Sequence, residues 1–293
     1  MSPTRTPPPI ATALLQQLAA IATRWPSPGV RRLHIPQRPG DAGEHDAEFC
    51  AIELEDGTFG LSYILLGGTL DRLLARHGSD RHDALAGADP MALAQRLAGG
   101  DEVERAVALA AVNALTDSVW RRVGYTPPPA GNSLGDVVLG SEDHLGMIGF
   151  FPPLVRRVDE AGGRLTVVEM NAEMVARQRE RFPRVHITLD RAALAHCNTV
   201  VGTSTMLLND SLDAMLVAAP NASRFAVIGP SAGLWPDALF ERGVTLLGGT
   251  QVVDGKAFAQ AMATGASWSA ASRKFAIARG GWPGWTALAG GPA

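Results

Sequence analysis

Two carboxylates, Glu169 and Asp190, each follow a short apolar run in the segment LTVVEMNAEMVARQRERFPRVHITLD. Residues 165–169 and 185–189 are predicted strands, and the stretch between them is long enough for a helix. The carboxyl ends of parallel strands meet at one edge of a sheet, where ligands bind. A carboxylate there accepts hydrogen bonds, so Glu169 can accept them from ribose hydroxyls and Asp190 from an adenine amino group.

The loop Gly-Phe-Phe-Pro-Pro at residues 149–153 follows another apolar run. A dinucleotide phosphate needs free backbone N–H groups at this point, which a G-x-G-x-x-G loop supplies. Pro152 and Pro153 have no N–H group. Phe150 and Phe151 block close approach to the backbone, so NAD and FAD in their usual pose are disfavoured. Aromatic rings instead favour a positively charged group, by about 0.5–2 kcal/mol.

Residues 165–190 resemble the corresponding segment of class I S-adenosylmethionine-dependent enzymes. The resemblance implies that S-adenosylmethionine is the cofactor and that the two carboxylates hold its adenosine. Its sulfonium group needs no phosphate cradle, so Gly149, Phe150 and Phe151 are expected to pack around it. The remaining candidate cofactor-binding residues follow other strands: Asn171, Gly202, Thr203, Ser204, Asn209 and Ser231. Residues 203–209 and Ser231 would bind the polar end, and the hydroxyls at 203–205 would also cap a helix.

The second half of the chain is predicted to form an α/β domain. Short apolar runs alternate with helical stretches such as residues 172–182 and 205–218, which predicts a parallel sheet covered on both faces. The runs lie at residues 145–149, 165–169, 185–189, 199–201, 225–228 and 244–247. We therefore expect a Rossmann-like domain at residues 131–293, with its ligand site at the strand ends.

A smaller α+β domain is predicted at residues 1–130. Apolar residues alternate on both sides of Asp56-Gly57, which predicts a β-hairpin over residues 49–65. Helical periodicity follows at residues 69–76, 90–97 and 102–120. Residues 124–133 are rich in proline and glycine, as expected at a domain junction.

Composition favours a small-molecule substrate as the partner. The net charge is −3 and 46% of the 293 residues are hydrophobic, with no basic excess to attract nucleic acid. No apolar run approaches the roughly 18 residues of a membrane span. Cys50 and Cys197 are far apart and form no disulfide framework, which predicts a cytoplasmic protein. The tryptophan-rich tail would form a lid, a homo-oligomer contact or packing against the sheet.

The whole chain resembles a two-domain family of unknown function that is described as putative heavy-metal chelation. The motifs that carry the likeness are LEDGTFGLSY, ALAAVNAL, LGMIGFFPPLV, VVGTSTMLLND and VIGPSAGLWPDALFERGVTLLGGTQVVDG. The resemblance implies an enolase-N-terminal-like domain before a Rossmann-like domain, with the site in the cleft between them and Asn113 facing it. It also keeps a bound metal ion open as an alternative.

Local metal-binding and nucleophile motifs are weak in this sequence. None of the seven histidines forms an i, i+4 pair. His77 and His82 flank a loop, and the adjacent His196 and Cys197 would point to opposite faces of a strand. A metal site would have to be assembled from distant residues. Cys197 reads as a buried apolar side chain, and no G-x-S-x-G elbow occurs.

Three functions follow, in order of preference. The first is an S-adenosylmethionine-binding enzyme, a transferase or lyase, that catalyses alkyl transfer to a small acceptor or cyclisation of the aminocarboxypropyl arm. The second is a metal-binding or metal-cofactor handling protein, and the third is a non-catalytic sensor of a nucleotide-like ligand. No catalytic residue is identifiable from the sequence.

Overall fold

The computed structural model describes residues 8–36, 48–77, 85–131 and 142–290. A seven-stranded sheet dominates the second half of the chain. In chain order its strands are β4 (His144–Ile148), β5 (Arg164–Val168), β6 (His186–Thr188), β7 (Thr199–Thr203), β8 (Arg224–Ile228), β9 (Leu246–Val252) and β10 (Ser272–Ala278). In space they run β10-β9-β8-β7-β4-β5-β6. Strands β4 to β9 are parallel, and β10 is antiparallel to β9.

This order is that of a doubly wound nucleotide-binding fold with one antiparallel strand added. Residues of β4, β5, β7 and β8 are almost continuously buried, as expected of parallel strands covered on both faces. The connecting helices are α5 (Pro152–Glu160), α6 (Ala172–Arg181), α7 (Leu212–Ala218), α8 (Asp237–Phe240), α9 (Gly255–Thr264) and α10 (Trp285–Ala289). The predicted α/β class with a Rossmann-like sheet is confirmed.

The first half contains a three-stranded antiparallel sheet and four helices. The strands are β1 (Val30–His34), β2 (Phe49–Leu54) and β3 (Phe59–Tyr63), in that spatial order, and β2 and β3 form the predicted hairpin. The helices are α1 (Ile10–Arg24), α2 (Thr69–His77), α3 (Pro90–Ala94) and α4 (Glu102–Arg122). The predicted smaller α+β unit is therefore present.

Helix α4 packs directly on the hairpin. A Cβ atom at Gly60 would lie 2.1 Å from the carbonyl oxygen of Ala110, so only glycine allows β3 to approach α4 this closely. Asp101 and Glu104 form a capping box that fixes the start of the helix. Residues 106–120 are buried throughout, because α4 lies between the small sheet and the large one.

Contacts between the two halves are extensive. Trp120 of α4 packs edge-on against Trp235 and Phe275 of the second half, with ring centroids 5.9 and 5.7 Å apart. Helix α1 also reaches the second half, since the Ile10 N–H donates a 3.0 Å hydrogen bond to Asp213. The predicted junction near residue 130 stays a prediction, because residues 132–141 lie outside the described part.

The tryptophan-rich tail packs within the protein. Trp268 is buried against Phe49 and Phe258, and Trp282 donates a 3.0 Å hydrogen bond to Asp237. Between them lies β10, a strand that we did not predict. None of the helices in the described ranges is long and apolar enough to cross a membrane.

Candidate functional site

A cavity of about 880 Å³ opens at the carboxyl edge of the large sheet. It lies beyond β4 and β7, the neighbouring strands at which the strand order reverses, where ligands of such sheets bind. Eight predicted site residues line it: Gly149, Phe150, Phe151, Glu169, Asn171, Thr203, Ser204 and Asn209. The structure therefore brings together residues that span 61 positions of the sequence.

The loop after β4 provides no phosphate cradle. Helix α5 starts with Pro152 and Pro153, which have no N–H group. The next two amides, of Leu154 and Val155, both donate to the carbonyl of Phe151 at 3.0 Å. The N–H of Phe151 points back to the Met147 sulfur at 3.5 Å. The start of this helix therefore has no free amide for an anion, which agrees with the sequence argument.

The two phenylalanines of this loop are half-buried and form one wall of the cavity. Phe150 also packs against Phe182, with ring centroids 5.9 Å apart. Phe151 is the residue that precedes the first turn of α5. Their aromatic faces give this wall an affinity for apolar or cationic groups.

Glu169 follows β5 directly and lines the cavity. Its backbone N–H donates to the Thr188 carbonyl at 2.9 Å, which extends the pairing of β5 with β6 by one residue. One carboxylate oxygen accepts the Met170 N–H at 2.9 Å. Asn171 caps α6 by accepting the Met174 N–H at 3.0 Å. The carboxylate is thus held at the edge of the sheet by local backbone bonds.

The polar side of the cavity follows β7. The Thr203 hydroxyl accepts the Thr205 N–H at 3.3 Å and so caps the short turn that follows. Asn209 accepts a 2.6 Å hydrogen bond from the Ser211 hydroxyl, and its amide nitrogen lies 3.1 Å from the Met170 sulfur. Asn209 thereby links the loops that follow β5 and β7.

The small domain supplies a wall that the sequence did not predict. Glu48, Phe49, Tyr63 and Leu66 all line the cavity. Burial raises the pKa of the Tyr63 hydroxyl, and the negative charges of Glu48 and Glu169 raise it further. Tyr63 therefore remains a neutral hydrogen-bond donor at neutral pH. Its position as the last residue of β3, at the end of the hairpin, was the available signal.

The charged side chains in the described part of the lining are acidic. Among the described residues that line it, Glu48 and Glu169 are the charged side chains, and none is lysine, arginine or histidine. Carboxylates in a lining favour a cationic ligand over a phosphate. The described lining and the prolines after β4 therefore both disfavour a phosphate ligand.

Three predicted site residues do not line the cavity. Asp190 is exposed and caps the turn after β6 by accepting the Ala192 N–H at 2.9 Å. Gly202 lies within β7, between Ile148 and Val227 of the neighbouring strands. Ser231 is fully buried beneath the cavity wall.

Asn113 and Ser231 instead join the two halves of the chain. The Asn113 amide donates to the carbonyl oxygens of Leu61 and Ser231, both at 2.8 Å. The Ser231 hydroxyl accepts the backbone N–H of Tyr63 at 2.9 Å. Asn113 is buried and does not line the cavity. These bonds fix the wall carrying Tyr63 against the large sheet.

His196 and Cys197, considered for metal or nucleophile chemistry, do not line the cavity. Burial raises the pKa of the Cys197 thiol, so it is not a reactive thiolate. His196 is exposed, while His82 and the side chain of His77 lie outside the described residues. In the described ranges, no group of three or more histidine, cysteine, aspartate or glutamate side chains is arranged to hold a metal ion.

Comparison with known families identifies the chain. Residues 134–279 match the DUF364 family and residues 47–116 match the DUF4213 family, both described as "Putative heavy-metal chelation". The chain belongs to this two-part family. No curated protein matches it.

Two solved structures of DUF364 proteins with unknown function share the fold. One, from Pyrococcus horikoshii, has a TM-score of 0.66 and 16% identity, and the other, from Desulfitobacterium hafniense, has a TM-score of 0.64 and 21% identity. Each comparison covers 92% of this chain and 99% of the other. The DUF364 architecture thus extends over both halves of the chain.

Proposed function

We propose that the protein binds a cationic, phosphate-free adenosine derivative, S-adenosylmethionine or a close relative, in the cavity between the hairpin and the large sheet. The observation that carries this proposal is the lining, in which Glu169 follows β5 and none of the described side chains is basic. The prolines at the start of α5 support it, because they deny a phosphate its usual amide donors.

In this proposal Glu169 accepts hydrogen bonds from the ribose hydroxyls. The adenine then packs along the Phe150 and Met174 side of the cavity, because Asp190 does not line it. The sulfonium group lies against Phe151, and the polar end lies near Thr203 and Asn209. A ligand of this size fits within about 880 Å³, which is in the range of small-molecule sites.

The chemistry we propose is displacement at a carbon attached to the sulfonium, either alkyl transfer to a small acceptor or cyclisation of the aminocarboxypropyl arm. Sulfonium is a good leaving group, so the main contributions of the protein are orientation and exclusion of water. Tyr63 supplies a neutral hydroxyl donor beside the two carboxylates. Its role is to orient the acceptor or the arm.

Calorimetry on matched variants tests the binding site. Glu169→Gln is expected to weaken S-adenosylmethionine binding by roughly 10- to 150-fold, the loss of a charged hydrogen bond worth about 1.5–3 kcal/mol. Asp190→Asn is the control, because this exposed carboxylate lies outside the cavity and should change affinity by less than about twofold. Equal losses in both variants, or no binding by the parent protein, would refute the proposed site.

Product analysis then distinguishes an enzyme from a sensor. The parent protein is incubated with S-adenosylmethionine and candidate small acceptors, and adenosyl compounds are separated by chromatography. Formation of a demethylated or arm-cleaved adenosyl product supports catalysis. Stoichiometric binding with the ligand fully recovered supports the sensor function instead.

The family description favours a second candidate, the binding of a metal. The cavity has room for far more than a bare ion, and it offers two carboxylates and the thioethers of Met170, Met174, Met206 and Met215. The described residues do not provide a complete set of metal ligands. The metal would therefore enter as its complex with an organic chelator. Elemental analysis of untagged protein that shows stoichiometric metal without S-adenosylmethionine affinity would favour this candidate.

A further inference from the structure

A second, much smaller cavity lies between α4 and the large sheet. Its volume is about 10 Å³, enough for the centre of one water molecule. Helix α4 contributes Asn113, Asp117 and Trp120, which lie on one face of the helix at i, i+4 and i+7. The second half contributes Gly233, Thr250, Gln251 and Phe275, and the hairpin closes one side.

Each of the three α4 residues has one buried polar atom that has no partner or, in Asp117, only the ion pair with Arg121. These atoms are Oδ1 of Asn113, Oδ2 of Asp117 and Nε1 of Trp120. Their exposed fractions are 2%, 4% and 1%. Buried polar atoms are nearly always hydrogen-bonded, so three such atoms on residues that line one cavity point to a shared partner.

The orientation of Asn113 is fixed by its other bonds. Its amide nitrogen donates to the carbonyls of Leu61 and Ser231. The atom of Asn113 that has no partner is therefore Oδ1, and an amide oxygen requires a hydrogen-bond donor. Flipping the amide would place an oxygen against two carbonyl oxygens.

Asp117 and Trp120 determine the other hydrogen bonds that a molecule in this cavity must make. Oδ1 of Asp117 accepts from Gln251 at 2.6 Å, and its Oδ2 forms an ion pair with Arg121 at 2.9 Å. A carboxylate oxygen has a second lone pair, so Oδ2 can accept a further hydrogen bond, whereas the indole Nε1–H of Trp120 can only donate. The three atoms together require a partner that donates two hydrogen bonds and accepts one.

We propose that this cavity binds one structural water molecule that donates to Asn113 and Asp117 and accepts from Trp120. A sodium ion would satisfy the two oxygens but not the indole N–H, and an ammonium ion has no lone pair to accept it. Water is the small molecule that meets all three demands. Through Asn113 and Ser231, this water supports the backbone of Tyr63 in the wall of the larger cavity.

A crystal structure at about 1.5 Å resolution and ¹⁷O water relaxation dispersion test this inference on the full chain. We expect a density peak about 2.7–3.2 Å from all three atoms. Trp120→Phe should remove one long-lived water from the relaxation count. Trp282→Phe is the matched control, because its indole N–H already donates to Asp237 and Trp282 does not line this cavity.

Three results would overturn the inference. They are an empty cavity in the unmodified protein, a peak bound at the shorter distances of a metal ion, and identical water counts in the two tryptophan variants. If Trp120→Phe does not fold, the density in the unmodified protein decides.

Discussion

The hydroxyl of Ser231 accepts a 2.9 Å hydrogen bond from the backbone N–H of Tyr63, across 168 positions of sequence. Ser231 belongs to the large sheet domain and Tyr63 to the hairpin, so this bond joins the two walls of the candidate site. Asn113 adds a second link from α4 to the Ser231 carbonyl. The cavity therefore depends on how the two halves pack.

Ser231→Ala is expected to destabilise the protein by about 1–3 kcal/mol, because the Tyr63 N–H loses its acceptor within the interface. The measurement is the urea midpoint of unfolding at constant m-value. Ser223→Ala is the control, since this exposed hydroxyl should matter by less than about 0.5 kcal/mol. Equal midpoints for the two variants would show that the Tyr63 contact contributes nothing.

Gly229 allows the loop after β8 to approach Ser204. Its φ is +140°, and a Cβ atom there would lie 2.4 Å from the Ser204 hydroxyl oxygen. Gly243 also has a positive φ, +107°, but no atom lies within 4 Å of a Cβ there. Gly229→Ala should therefore destabilise more than Gly243→Ala, by about 1–3 kcal/mol, because only the first adds a clash. Thermal or urea unfolding measures the difference, and equal effects would contradict the close approach.

The strands of the large sheet were predictable because buried parallel strands read as uninterrupted apolar runs. The edge strand β10 was not, since Arg273 interrupts the apolar face of Phe275 and Ile277, and the opposite face carries Lys274 with two alanines. Such polar residues are common on edge strands, and they obscure the apolar pattern from which a strand is predicted.

The half of the site at the strand ends was also predictable, because Glu169 and the loop at 149–153 directly follow strands. Tyr63 and Glu48 were missed because local patterns do not specify how two domains pack together. Asp190 has the predicted position after β6, but its side chain caps a turn there and does not line the cavity.

Both tyrosines should ionise at a higher pH in the native protein than in the unfolded protein. Burial raises the pKa of Tyr125 to about 12, and burial with two nearby carboxylates raises that of Tyr63 above its ordinary value of 10. The folded state thus holds these protons more tightly than the unfolded state. The stability they contribute is complete below pH 10 and is lost as the pH rises through the folded pKa values.

Absorbance at 295 nm measures this titration. We expect the native midpoints to lie above 10 and both tyrosines to titrate near 10 in urea. Glu169→Gln should lower the native midpoint of Tyr63, because it removes a nearby negative charge. A native midpoint at or below 10 would show that Tyr63 is neither buried nor close to the two carboxylates.

Phe151→Leu should weaken binding of S-adenosylmethionine while preserving apolar bulk. The lost cation–π contact is worth about 0.5–2 kcal/mol, which corresponds to a two- to thirtyfold change in Kd. S-adenosylhomocysteine, which lacks the positive charge, serves as the control ligand and should bind both proteins equally. Parallel losses for both ligands would show that the ring acts through packing alone.

The central claim is that the cavity accepts a cationic adenosine compound and rejects phosphates. Calorimetry of the unmodified protein with S-adenosylmethionine and with adenosine diphosphate, under the same conditions, tests it most directly. We predict one molecule of S-adenosylmethionine bound per chain and no measurable heat from adenosine diphosphate. Tighter binding of adenosine diphosphate than of S-adenosylmethionine would contradict the account.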